Sequence, residues 1–501
     1  MKRLAAFMSV LALLAALAGC STLPKSYYES STEESSSPSG ENSSPSGEEE
    51  QKAFTLCFSS SDTLNPFAAA TRSNLELAPL LYQGLTALDA DWVAQPQLAE
   101  SVQVSGGAVT AVLRESAVFS DGTSVTAADV IASFEQAKSS ANYSVLLRNV
   151  TGVSADETEK NLTFTLSSAD PNAAACLSFP VIKAGTEEAP IGGGPYVFSN
   201  GGSPTLAANP QYEKAPAIST IYLKDYPEGD TTVRALESGT ISFYFDDLSS
   251  GDIPRTTSAN ISVPLNALVF LGVNSRRSAL SDASVREALS LAISRSAIVS
   301  SAFAGRADAA AAPFSPHWKP AVELKGFDDN ENIAVAVAQL EQAGYNNTDG
   351  NPLSLELLVS DGNSFRTAAA ELLKQQLAEA GVSLTVTVLS FEEYEERLED
   401  GDFDLYLGEI RLSANMGLQP FFSSGGAASY GVNTGGESAS AYREYLAGQK
   451  TLQEFTDVFT KDVPFIPLCW RNGLAAYDRA LSGVTPTAFN HFYGIDVWSF
   501  S

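Results

Sequence analysis

The chain has 501 residues, with 30 Lys and Arg against 59 Asp and Glu and a formal net charge of −29. That acidity excludes a nucleic-acid binder, which needs a basic footprint, and excludes adhesion to anionic lipid through surface charge. With 44% hydrophobic and 18% charged residues the chain can bury a sizeable core, and its length predicts two or three lobes.

The chain opens with Lys2 and Arg3, an apolar run over residues 4–18, and the sequence Leu17-Ala18-Gly19-Cys20. A short positive region, an apolar run too short to span a bilayer and a small-residue cleavage point predict a signal peptide over residues 1–19. A secretory signal with a chance cysteine is the plainer reading. The cysteine at the cleavage point resembles the lipobox of bacterial lipoproteins, which implies lipid on the Cys20 thiol and a tether to the outer face of the cell membrane. Residues 20–52 are mostly Ser, Glu, Pro, Gly and Asn, with SSPSGE occurring twice, at residues 36–41 and 43–48. Such a segment cannot bury enough apolar surface to offset its ordering entropy and is predicted to be a flexible acidic spacer.

The body from residue 53 onward alternates α and β signals. Asp121-Gly122 marks a turn. A helix is predicted to start at Thr126, whose hydroxyl caps the amide of Asp129 while Asp129 favours the helix N-terminus electrostatically. Val130, Ile131 and Phe134 then face the core. Gly192-Gly193-Gly194-Pro195 has proline where a phosphate loop needs lysine, and reads as a tight turn where chain segments approach closely. Residues 282–304 are predicted helical with Val285, Ala288, Leu289, Ala292 and Ile293 inward, and residues 332–343 form a helix stopped by Gly344. Residues 352–360 read as a strand. Residues 365–380 follow as a helix, with Leu372, Leu373, Leu377 and Ala380 on one face and Gly381 at its stop. Leu384, Val386 and Val388 alternate with threonines in the next strand. Strand–helix–strand of this length is a βαβ unit with parallel strands.

Catalytic and metal signatures are sparse. Cys57, Cys176 and Cys469 have no C-x-x-C spacing. Cys57 and Cys469 lie in strand-like runs, AFTLCF and FIPLCW, and either form one disulfide or remain two buried thiols, the second being favoured. The two histidines, His317 and His491, sit in no paired metal spacing. His317, beside Trp318, reads as a loop or surface residue, and His491, among Phe489, Phe492 and Tyr493, as a packed one. No nucleophile elbow or Walker loop is present, so an enzyme is a distant third reading, with no metal and no cofactor expected.

The runs carrying a family likeness are TLNP at residues 63–66, LLYQGLTALDADWVAQPQLAES at 80–101, VLRESAVFSDGTSVTAADVIASFEQA at 112–137 and GGGPYVF at 192–198. LAANPQYEKAPAI at 206–218, LGVNSRRSALSDASVREALSLAISRSAIV at 271–299 and DVPFIPLCWRNG at 462–473 complete the series. In this order the chain resembles the peptide/nickel class of extracytoplasmic solute-binding proteins of ABC importers, over nearly the whole body. The resemblance implies an α/β, two-lobe periplasmic-binding-protein-like fold of class II, cluster C type, with an extra subdomain inserted in the first lobe. Lobe I would comprise residues 53–90, 189–266 and 469–501, the inserted subdomain residues 91–188 and lobe II residues 267–468. It also implies a monomer whose lobes close over a ligand by hinge motion, and, as partners, a small solute of peptide type and an ABC permease with its ATPase. A peptide-sensing receptor lipoprotein of the same fold is the runner-up.

Peptide-binding members carry a tryptophan and an aspartate after a strand such as residues 403–410. The corresponding run here, LYLGEIRLSANMGLQPFFSSGGAASYGVN at residues 405–433, lacks that pattern and has Gly417 where relatives of this subgroup can have an acidic residue. The charged groups nearest that position are Glu409 and Arg411. Arg411 can hold a ligand carboxylate bidentately and Glu409 can meet a cationic amine, or the two pair with each other or with the opposite lobe. The resemblance adds Asn65, Asn415, Tyr430, Asn433 and Trp470 as candidate ligand contacts.

Overall fold

Two long strands, Ala259–Val273 and Phe465–Tyr477, pair antiparallel and organise the fold. Phe465–Tyr477 is buried along almost its whole length, as expected of a strand covered on both faces. The computed structural model describes residues 52–226, 230–328, 332–346 and 350–501. The predicted signal peptide, the Cys20 lipidation site and all but the last residue of the spacer lie outside the described residues.

A seven-stranded sheet is built on this pair. Phe243–Asp246 and Ala307–Ala309 add to Phe465–Tyr477, and Leu405–Arg411 adds antiparallel to Ala259–Val273. Leu353–Ser360 and Val382–Leu389 complete it, parallel to each other in the register Leu353↔Val382 to Ser360↔Leu389. Helix Ser364–Glu379 connects these two and buries Leu373 and Leu377, while Leu372 packs half-buried beside them. The βαβ unit is therefore present as the period of its apolar residues dictates. A four-stranded sheet pairs Phe54–Phe58 parallel with Thr220–Asp225 and continues through Thr205–Ala208 to Tyr196–Ser199. An antiparallel sheet of Ala99–Ser105, Ala108–Leu113, Asn161–Leu166 and Val150–Ala155 packs against helix Ala127–Ser139, whose Thr126 and Asp129 form a reciprocal capping box.

The cores follow from these layers. Phe54, Phe134, Phe164 and Trp498 share one apolar cluster, so the sheet at residues 99–166 shares its core with the sheet that begins at Phe54 and with the C-terminal segment. Val269, Leu289, Leu357 and Leu373 form a second. A third gathers Trp92, Phe270, Phe421, Phe465 and Trp470 and joins residues far apart in the chain. Gly192 and Gly194 pack so closely on the turn at Leu81 that a Cβ would lie 2.2 Å from the Leu81 carbonyl oxygen at one and 2.4 Å from its carbonyl carbon at the other, the close approach that their sequence suggests.

One expectation needs correcting, and another holds in part. The helix over residues 282–304 is broken: the regular part is Ala283–Leu291, followed by a turn at Arg295–Ala297 and a wide turn at Ile298–Ala302. The Leu291 carbonyl is taken by the Asn332 amide at 2.8 Å, and Ser294 caps a new turn starting at Arg295, its side chain accepting from the Ala297 amide. Periodicity of apolar residues survives the break, which is why the sequence reads as continuous. Cys57, Cys176 and Cys469 form no disulfide, and Cys57 is only partly buried. Burial pushes the Cys176 and Cys469 thiols well up, so both behave as apolar side chains. No helix among the described residues is long and apolar enough to cross a membrane.

Candidate functional site

The long strand pair carries an irregularity that shapes the site. Pro264 opposes Asn472 and Leu268 opposes Trp470, so three residues, Leu265, Asn266 and Ala267, face a single one, Arg471. A bulge of this kind bends a strand and re-aims its side chains. The Asn266 side chain donates to the Leu412 carbonyl and the Asn266 carbonyl accepts from the Leu412 amide at 2.9 Å. The bulge is thus tied to the residue that follows strand Leu405–Arg411.

Beside it lies a cavity of about 430 Å³, within the range of small-molecule sites. Leu75, Tyr82, Thr86, Leu88 and Gln97 line one wall, Asn142, Tyr143 and Leu146 a second, and Asn266, Arg411, Leu412 and Ser413 a third, with Phe489 and Asn490 from the C-terminal segment. Arg411 is the one charged side chain among the described residues lining it. Tyr82 donates its hydroxyl to the Leu64 carbonyl at 2.8 Å. Burial pushes the Tyr82 and Tyr143 phenols well up, so both stay neutral hydrogen-bonding groups.

Charged residues stand behind the cavity in a connected series. Arg471, with its side chain 1% exposed, donates through Nε and Nη2 to Glu409 Oε1 at 2.9 and 2.5 Å and through Nη1 to the Asp247 carbonyl. Arg411 donates from Nη2 to Asp247 Oδ2. Asp247 Oδ1 also lies 3.6 Å from Arg72 Nη1, and Arg72 donates to Glu76 Oε1 at 2.7 Å. His491 stacks on Phe245 at 3.6 Å between ring centroids, with Nδ1 3.5 Å from Glu76 Oε1. Burial raises the Asp247 carboxyl, but Arg411 and Arg72 outweigh it and hold the group below its ordinary value. Glu76 is likewise raised by burial and lowered further by His491 and Arg72, ending below its ordinary value. Burial lowers the Arg411 guanidinium more than its acidic neighbours raise it.

The residues singled out in sequence are scattered relative to this cavity. Arg411 lines it. Glu409 does not, because its carboxylate is committed to Arg471. Asn65 shapes a turn, its side chain accepting from the Phe67 amide and donating to the Glu187 carbonyl, both at 2.9 Å. Asn142 in the cavity wall then donates to the Pro66 and Ala69 carbonyls of that turn. Asn415 donates to the buried Asp170 at 2.7 Å, outside the cavity. Tyr430 packs edge-on to Tyr406, Asn433 is exposed with its side chain bonded to the Gly435 amide, and Trp470 is fully enclosed in the third core. Arg471 and Asp247 are the residues that sequence reading misses. The signal for Arg471 is its charge within an otherwise uncharged strand, since an arginine is almost never fully buried without a partner. Among the described residues no group of three or more His, Cys, Asp or Glu could hold a metal ion.

Residues 93–429 match the family described as bacterial extracellular solute-binding proteins, family 5 Middle. The glutathione-binding protein GsiB of Escherichia coli K12 is 26% identical over 466 residues, covering 85% of this chain and 90% of that protein. The GsiB of Salmonella paratyphi A is 24% identical over the same shares. Among solved structures, the unliganded open form of the periplasmic murein tripeptide binding protein MppA superposes with a TM-score of 0.75 at 16% identity, covering 90% of this chain and 98% of that one. NikA from Brucella suis in complex with Fe(III)-EDTA gives 0.66 at 21% identity, covering 89% and 100%. These structures show the α/β fold of periplasmic solute-binding proteins. The relatives are binding proteins of transporters, not enzymes.

Proposed function

This chain belongs to family 5 of the bacterial extracellular solute-binding proteins, and from that premise we propose that it captures a small peptide-like solute through a carboxylate held by Arg411. The carrying observation is that Arg411 is the one charged group among the described residues lining the cavity beside the bulged strand pair. A guanidinium offers a planar fork that a carboxylate fills with two charge-assisted hydrogen bonds. Among the described residues no acidic one lines that cavity, so the solute's amine, where it has one, is met by neutral acceptors such as Gln97, Ser178 and Asn490. Glutathione, bound by the GsiB relatives as their name states, is a peptide with free carboxylates and fits this chemistry.

In this reading the bulge at residues 265–267 is the hinge, the halves on either side close over the solute, and the loaded protein delivers it to an ABC permease. The lipid on Cys20 tethers it to the outer face of the membrane. Native mass spectrometry of protein purified without denaturation is expected to reveal a co-purified carboxylate-bearing solute. Arg411→Ala is expected to weaken binding of reduced glutathione in titration calorimetry by about 2 kcal/mol, roughly thirtyfold. An unchanged affinity would remove Arg411 from the site. Cys20→Ser is expected to shift the protein from the membrane to the soluble fraction, and continued membrane partitioning would refute the tether.

A further inference from the structure

Asp247 holds Arg411 by one contact only, from Nη2 to Oδ2. Of the five N–H donors of a guanidinium, the others on Arg411 have no partner among the described residues. The Arg411 side chain is 46% exposed, against 16% for Asp247. The charged group that lines the cavity is therefore only loosely held, and by a carboxylate, the same chemical group as the solute's.

We propose that Asp247 is a built-in competitor for the ligand: the solute's carboxylate displaces Asp247 from Arg411, and this exchange sets both affinity and selectivity. The inference rests on Arg411 as the carboxylate receptor. Its physical basis is that Asp247 can give up Arg411 without being stranded. Asp247 Oδ1 keeps Arg72 at 3.6 Å and the Ser249 amide at 3.0 Å. Asp247 also lines a second cavity of about 250 Å³, together with Arg72 and Glu76, with room for water to replace the lost contact. The Glu409–Arg471 pair cannot exchange in this way, because parting it would leave a buried charge without a partner.

The charges around Arg411 are of both signs. Arg471 and Arg72 act on Arg411 as like charges, while Asp247 and Glu409 oppose them. The nearby acids are already engaged. Glu409 sits on Arg471, Glu76 on Arg72 and beside His491, and Asp246 accepts from the Tyr244 hydroxyl and the Leu248 amide. Asp247 is thus the acid that an incoming carboxylate displaces. Because Asp247 occupies the receptor, apparent affinity falls by the fraction of Arg411 left available. A neutral analogue cannot displace it, so the competitor also rejects amides and esters.

The test is titration calorimetry of the full chain with reduced glutathione and with glutathione diethyl ester, on wild type, Asp247→Asn, Asp247→Glu and Arg411→Ala. Asp247→Asn is expected to bind the acid about tenfold more tightly and to gain nothing for the ester. Asp247→Glu, which keeps the charge, is expected to stay within about twofold of wild type. Asp247→Ser serves in place of the asparagine variant where that one folds poorly, with the same expected gain. If wild type binds the acid through Arg411 but neither neutral variant gains affinity, the competitor role is overturned and the carboxylate reading stands. If neither wild type nor the neutral variants bind the acid, the carboxylate reading fails and the competitor role with it.

Discussion

Glu409 and Arg411 lie two apart on one strand, so their side chains leave on the same side, yet they meet different environments. Glu409 reaches inward to Arg471, whose side chain is 1% exposed. Arg411 reaches the cavity and an Asp247 partner that lines a second one. Alternation fixes the side of a strand, but not the depth at which each side chain ends, and depth decides the energetics. Removing one partner of a buried pair costs about 3–5 kcal/mol, whereas an exposed pair contributes about 0–1 kcal/mol. Glu409→Ala is therefore expected to lower the urea midpoint substantially, by about 3 kcal/mol of stability, while Arg411→Ala changes it by less than about 1 kcal/mol. Equal losses in the two variants would show that the pairs are not different in kind.

At the scale of elements, what was legible in the sequence is what local chemistry determines. The capping box at Thr126 and Asp129 follows from two side chains three residues apart, and the parallel pair around helix Ser364–Glu379 follows from apolar period and length. The close approach at Gly192 and Gly194 follows from glycines where a Cβ would collide with Leu81. What was not legible depends on partners distant in sequence. The helix after Asp282 stops at Leu291 because Asn332, some forty residues on, takes the Leu291 carbonyl. The bulge at residues 265–267 exists only in the register against Phe465–Tyr477, which no window on one strand contains. The site divides the same way: Arg411 was readable as an arginine near a family position, but its competitor Asp247 and the buried Arg471 are contributed by segments whose proximity only the fold creates.

At the scale of the whole molecule, residues on either side of the bulge touch directly. Asn415 donates to Asp170, which is 2% exposed, at 2.7 Å, and the Asn172 side chain donates to the Tyr445 hydroxyl at 3.0 Å. Lys319 pairs with Asp91, and Trp92 packs against His317. If the halves close over the solute, these contacts contribute to closure without touching the cavity. A residue acting this way lowers apparent affinity by reducing the fraction of binding-competent protein, whereas a residue in contact with the solute lowers it directly. Asn415 distinguishes the two, since sequence resemblance names it a ligand contact and the structure places it on Asp170. Asn415→Ala removes a donor from a buried carboxylate, and is expected to weaken glutathione binding several-fold and to increase the radius of gyration of the protein without added glutathione in small-angle scattering. Saturating glutathione is expected to return the variant to the compact radius, because ligand present at a hundredfold excess over the dissociation constant supplies about 2.7 kcal/mol by mass action. Weakened binding with an unchanged radius would instead make Asn415 a direct contact of the solute.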